Sequence, residues 1–195
     1  MRKLEYLSPS AIAKWIESPD EFYIVYLSEI RAPRIPQTKP MSIGSAFDAY
    51  AKSFLHEKLF GHGNDSRFEL ETLLKAQVEP QNLDWARIHG KYAFECYKRS
   101  GALTDLLLDL EASVGTPRFE FEVKGVVNGY REGVTKQMPR GVMLLGKPDV
   151  HYVNRTGCHV TLDFKVNGYL SRSAVSPKPG YMRVRGNAST GGPHK

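Results

Sequence analysis

Cysteine is scarce in this chain: Cys96 and Cys158 are the only two among 195 residues, and they form no CxxC pair. That excludes a four-thiolate zinc or iron–sulfur site, and both read as ordinary small apolar residues. No apolar run approaches the roughly 18 residues that span a bilayer. The opening Met1-Arg2-Lys3-Leu4-Glu5-Tyr6 lacks the apolar stretch of a secretory signal. No membrane partner is therefore expected, and cytoplasmic residence is the default. Acidic residues are missing from one region. After Lys165 the chain carries Arg172, Lys178, Arg183, Arg185 and Lys195 with no Asp or Glu. Of 27 basic residues, 22 remain to balance all 21 acidic ones in the first 165. A near-neutral body with a basic end suits a polyanionic partner, most simply nucleic acid, and Arg172, Lys178, Arg183 and Arg185 are its candidate contacts. The other reading of that end is a solvated tail.

A chain that is 41% hydrophobic and 11% aromatic has material for one packed domain rather than a disordered segment. Its front half reads helical. Ser8-Pro9 and Ser18-Pro19 each pair an N-cap serine with a proline at the first helical position. Pro33, Pro36 and Pro40 mark an extended connection. A helix is expected from about Ser42 to Phe60, with Ile43, Phe47, Phe54 and Leu55 as its buried stripe and Gly61-His62-Gly63 as its stop. Residues 67–77, 83–98 and 102–111 are three further helical stretches.

The period then changes. Phe119, Phe121 and Val123 alternate with Glu120, Glu122 and Lys124, the pattern of a strand. Residues 125–140 are polar and Gly-rich, an expected turn or excursion. Val142 to Val153 is a second strand region, Asn154-Arg155-Thr156-Gly157 a hairpin turn, and Cys158 to Val166 a third strand. The fold class expected is α/β: a small mixed sheet carrying a hairpin, with the N-terminal helices packed around it. Residues 1–166 form the domain, and residues 167–195 a basic loop rich in Gly, Pro and Ser.

One arm of the hairpin presents Gly146-Lys147-Pro148-Asp149; the other, fourteen positions on from Asp149, presents Asp163-Phe164-Lys165. Alternation puts Asp163 and Lys165 on one side and Val160, Leu162 and Phe164 on the other. The turn would bring Asp149 near Asp163. Two close carboxylates repel, and a hard cation such as Mg²⁺ relieves that repulsion while keeping open positions for phosphate oxygens. Such a metal neutralises phosphodiester charge and acidifies a bound water, and a nearby lysine stabilises the charge that develops. The plain alternative is a salt-bridged Asp/Lys cluster on a strand edge.

Three segments together resemble the PD-(D/E)XK nuclease superfamily, in its RecB-like and phage exonuclease-like branch. They are Leu7-Ser8-Pro9-Ser10 through Tyr26, Ile43-Gly44-Ser45-Ala46-Phe47-Asp48, and Gly146 through Lys165. The resemblance implies a restriction-endonuclease-like core and Mg²⁺- or Mn²⁺-dependent hydrolysis of DNA, by an exonuclease or a nuclease of recombination, repair or phage DNA processing. It implies Asp149 and Asp163 as metal ligands, the Phe164 carbonyl as a third, and Lys165 as the catalytic lysine. Asp48 stands where this branch has a metal-binding His. Some members add an acid on the strand before the hairpin, the place of Glu120 and Glu122, whose alternation otherwise reads as ordinary strand exposure. The branch follows its lysine strand with a helix bearing Gln and Tyr, which residues 167–195 do not resemble, so a truncated C-terminal part is expected. A homo-oligomer or a recombination partner is conceivable in this branch. Two other readings stand beside the nuclease: a nucleic-acid-binding module with an incomplete nuclease fold, and an interaction protein with structural carboxylates.

Overall fold

The serine–proline pairs start helices as their chemistry dictates. In the computed structural model, which describes residues 2–30, 33, 35–120, 122–127 and 142–166, Ser8 Oγ accepts from the Ala11 N–H at 3.1 Å and opens α1 (Pro9–Glu17). Ser18 Oγ accepts from the Glu21 N–H at 3.3 Å and opens the short α2 (Pro19–Phe22). One π-helical turn follows over Tyr23–Leu27, and its C-terminal carbonyls are tied down by the Arg2 guanidinium, which donates to Ser28 O at 2.6 Å and Val25 O at 2.9 Å. Ala11 is the buried residue of α1, and Trp15 and Ile16 are exposed. Trp15 meets Phe22 edge-on instead, with ring centroids 5.3 Å apart.

The centre of the helical layer is α3 (Lys39–Phe60), capped by Thr38 and ended by Gly61 at φ 90°. Its buried residues are Ser42, Ala46, Phe47, Ala49, Ala51, Lys52, Leu55 and His56, and these run round most of the helix. A helix enclosed on several sides is a central one, and the four-residue stripe expected from apolar spacing covers only part of that surface. Around it stand α4 (Leu70–Gln77), α5 (Leu83–Arg99) and α6 (Ala102–Glu111). The approach of α5 to α3 is close because Gly90 has no side chain: a Cβ there would lie 2.4 Å from Ala46 Cβ. Ala46, Ala49, Phe68, Leu73, Leu74, Val78 and Ala86 make the core between these helices, with Phe119 packed against it.

Two small sheets follow. β1 (Arg118–Phe119), β4 (Val150–Val153) and β5 (His159–Leu162) form one in the order β1-β4-β5; β2 (Val123–Val127) and β3 (Val142–Gly146) form the other. Every pairing of these strands is antiparallel, and the parallel element is a single bridge between Leu7 and Leu144. The chain is therefore mixed α and β, with antiparallel sheets where one mixed sheet was expected. The strands are also shorter than their alternation suggests. The chain leaves the β1 ladder at Glu120, which takes φ 45°, the one positive φ outside glycine among the described residues. It leaves the β3 ladder at Lys147-Pro148-Asp149, where proline offers no N–H to a ladder. The two breaks face each other, since the Glu120 N–H donates to Asp149 O at 3.0 Å. Both chains thus cross from one sheet to the other at the same seam.

The turn between β4 and β5 forms as its residues predict. Asn154 Oδ1 accepts from the Thr156 and Cys158 N–H groups, and Gly157 takes φ 81°. Cys96 and Cys158 are both free and exposed, not packed as small apolar residues. Among the described residues no helix is long and apolar enough to cross a membrane. Residues 125–127, expected to open the excursion of 125–140, continue β2 instead; residues 128–141, Phe121, and Arg172, Lys178, Arg183 and Arg185 lie outside the described residues.

Candidate functional site

Burying a lysine is costly unless its charge is matched. Lys52 lies in the middle of α3 with its side chain 4% exposed, and it is matched three times. Its Nζ stands 2.7 Å from Asp48 Oδ2, 2.8 Å from Glu120 Oε1 and 2.7 Å from Asp149 Oδ1. Each carboxylate arrives by a different route. Asp48 is one helical turn before Lys52, where i and i+4 share a face. Glu120 reaches it from the left-handed kink after β1, and Asp149 from the bend before β4. Strict alternation back from β4 would put Asp149 on the outer face with His151. The bend turns it inward, and the Phe164 N–H holds the other oxygen, Oδ2, at 2.5 Å. Phe164 is itself seated edge-on to Phe47 of α3, with centroids 6.2 Å apart.

The surrounding contacts leave acceptors to spare. Gln77 Nε2 donates to Asp48 Oδ2 at 2.9 Å and to Glu120 Oε1 at 3.5 Å. Lys147 Nζ meets the second Glu120 oxygen at 3.1 Å. Asp48 Oδ1 and Gln77 Oε1 are buried with no hydrogen-bond partner among the described residues. Three carboxylates against Lys52 and Lys147 leave one negative charge over when all are ionised. The electrostatics divide accordingly. Burial works against the Lys52 ammonium, but the Asp48 charge and hydrogen bonds to Asp149, Asp48 and Glu120 outweigh it and raise its pKa. Burial pushes the Asp48 carboxyl up, and Lys52 only partly opposes this. Glu120 is also desolvated, yet hydrogen bonds from Lys52 and Lys147 hold it below the ordinary glutamate value.

The second pair singled out by the sequence stands elsewhere. Asp163 and Lys165 lie on the outer side of the hairpin, opposite Leu162 and Phe164, as alternation requires. Lys165 Nζ lies 2.8 Å from Asp163 Oδ2, with side chains 72% and 56% exposed. The backbone does run as the hairpin argument asks: Val150 pairs with Leu162, and the Asp149 N–H donates to Leu162 O at 3.1 Å. The two aspartates are thus near neighbours in the chain pairing, while their carboxylates take different partners. Asp163 and Lys165 line a groove of about 1100 Å³ between the N-terminal segment and the hairpin, together with Lys3, Tyr6, Lys147 and Pro148.

Of the residues expected at a site, then, Asp48 and Asp149 meet through Lys52, Glu120 joins them, and Asp163 and Lys165 pair with each other. Glu122 is exposed. Sequence reasoning passed over Lys52 and Gln77. The signal that could have found Lys52 is its spacing, four residues after Asp48 on a helix whose other positions include Ala46, Ala49 and Ala51.

Whether a divalent metal fits can be judged from the donors. Asp48, Glu120 and Asp149 offer only oxygen, which suits Mg²⁺ or Mn²⁺, and the buried Asp48 Oδ1 is an acceptor with no donor among the described residues. In donor type and number the set fits. Among the described residues no group of three or more His, Cys, Asp or Glu stands at metal-ligand spacing; here the carboxylates are spread around an ammonium. Comparison with protein-family models, with curated proteins and with solved structures finds no match for this chain.

Proposed function

We propose that this chain is a Mg²⁺- or Mn²⁺-dependent deoxyribonuclease of the PD-(D/E)XK type, with a restriction-endonuclease-like core. One observation carries the reading: Asp48, Glu120 and Asp149, from three separate segments, converge within 2.8 Å of a single cationic point. Convergence of this kind costs repulsion and desolvation, and folds retain it where positive charge is to be handled. Asp48, Glu120 and Asp149 would hold the metal, with the Phe164 carbonyl as the further ligand that the family resemblance implies; Asp163, the other ligand it implies, turns to the outer side and pairs with Lys165. When bound, the metal supplies charge neutralisation on the phosphodiester and a water acidified for attack. The chain's own groups do the rest. The Phe164 N–H fixes one Asp149 oxygen and so sets the direction of the other. Lys165 and Lys147 stand on the groove wall, where ammonium groups attract the phosphate backbone and stabilise charge that develops on it. DNA would lie along that groove.

The test is direct. Purified protein is incubated with labelled single- and double-stranded DNA in Mg²⁺, Mn²⁺ or EDTA. Cleavage is expected with metal alone, and Asp149→Asn and Lys165→Ala should each slow it by at least about 100-fold. Undiminished cleavage by both variants would reject the assignment.

A second reading has its own support. The Lys52 ammonium occupies the centre and pairs with all three carboxylates, and Asp163 and Lys165 pair with each other. A non-catalytic nucleic-acid-binding module would look like this. It predicts salt-dependent DNA binding with no cleavage under any divalent cation.

A further inference from the structure

A structural lysine needs one carboxylate to match its charge. Lys52 has three, at 2.7, 2.8 and 2.7 Å, one for each N–H of its ammonium. The excess is not trimmed by the surroundings. Lys147 meets the second oxygen of Glu120, not the one on Lys52, and both Asp48 Oδ1 and Gln77 Oε1 are buried acceptors without a donor among the described residues. A centre meant for one ammonium would be expected to end with its acceptors used, since each buried unmet one is costly. This centre has room for more positive charge than Lys52 brings. Glu120 also reaches it from a backbone conformation that disfavours glutamate, φ 45°, so the third carboxylate is held there against local preference.

We propose that Lys52 is a tethered counter-ion, which fills the acidic centre when no metal is bound and competes with a divalent cation for Asp48, Glu120 and Asp149. This rests on the metal-centre reading above and adds its regulation. The lysine stem is flexible while its backbone is fixed in α3, so Nζ can withdraw without disturbing the helix. Metal loading is then an exchange of one cation for another. Without a metal the protein keeps one ammonium among its three carboxylates and stays folded, and its divalent affinity is set lower than three converging carboxylates alone would give.

The experiment measures Mn²⁺ binding on the full chain, without DNA, from the electron paramagnetic resonance signal of free Mn²⁺. Wild type, Lys52→Met and Lys52→Met/Asp149→Asn are compared, with circular dichroism to follow folding. Lys52→Met is expected to bind one Mn²⁺ at least about tenfold more tightly than wild type, because the competing charge is gone, and the double variant to lose that gain. If Lys52→Met is unfolded in EDTA, recovery of its helical signal on adding Mn²⁺ supports the proposal, and no recovery overturns it. Equal or weaker Mn²⁺ affinity in a folded Lys52→Met overturns it while leaving the metal centre standing. Absence of Mn²⁺ binding in every variant removes the metal centre and this proposal together. A DNA cleavage assay run in parallel reads the nuclease assignment separately.

Discussion

Lys52 and Lys165 each lie beside aspartate at 2.7–2.8 Å, yet the two contacts are different objects. Lys52 is enclosed by α3 and by the seam between the two sheets, with almost no water to screen it. Lys165 stands on the groove wall, and its partner Asp163 is two residues away, in the segment just past β5. A short distance alone therefore says little. Burial decides whether an ion pair is a structural commitment or a passing surface contact. The same burial decides what removal costs. Taking Lys52 away strands three carboxylates in a poorly solvated place; taking Lys165 away returns one aspartate to water.

The contrast can be sharpened by measurement. Lys52→Met in metal-free buffer should lose about 3–5 kcal/mol of unfolding free energy in urea. Lys165→Met should change it by less than about 0.5 kcal/mol. Equal losses would erase the distinction between the two lysines.

A smaller effect is expected where α5 presses on α3. Gly90→Ala puts a methyl 2.4 Å from Ala46 Cβ, and the helices must part to admit it, at about 1–3 kcal/mol. Thermal melts would read this. A neutral Gly90→Ala would mean that α3 is less tightly gripped than its burial implies.

The smallest effects are in acid, and they carry opposite signs. Glu120 is held below its ordinary value of 4.5, its burial outweighed by hydrogen bonds from Lys52 and Lys147. Its stabilising share is present above the unfolded value and disappears as pH falls through the lower folded one. Glu120→Gln should therefore flatten the loss of stability on acidification. Asp48 is raised from 3.8 by burial, so its ionised form costs stability, and that cost is relieved as pH falls. Asp48→Asn should steepen the acid loss. Urea midpoints taken between about pH 3 and 6 separate the two; a shared sign would contradict the picture of one partly and one fully compensated carboxylate.

Much of the helical layer is legible in the sequence because caps are local chemistry. Ser8, Ser18 and Gly61 mark helix ends with one side chain or one positive φ, and 83–98 and 102–111 fall within a residue of α5 and α6. The strands were overextended for a corresponding reason. Alternation around Phe119 and Val123 is real, but the kink at Glu120 depends on where its carboxylate finds a cation, in a helix 68 residues earlier. The candidate site divides along the same line. Asp149, Asp163 and Lys165 belong to one hairpin, so pairing alone places their backbones side by side, but it does not bring the two carboxylates together: Asp149 turns to Lys52 and Asp163 to Lys165. Lys52 could not be placed by pairing, because a lysine on a helix ordinarily faces water, and only the packing of α4 and the sheet seam closes that face.

Position 120 is pulled in two directions. Its main chain, at φ 45°, would rest more easily as glycine, whereas its side chain is anchored by two ammonium groups. Relaxing the chain there discards the acid, and keeping the acid retains the bend. A glycine at this place would give a calmer backbone around an emptier centre, so robustness and chemistry cannot both be improved by changing that one residue.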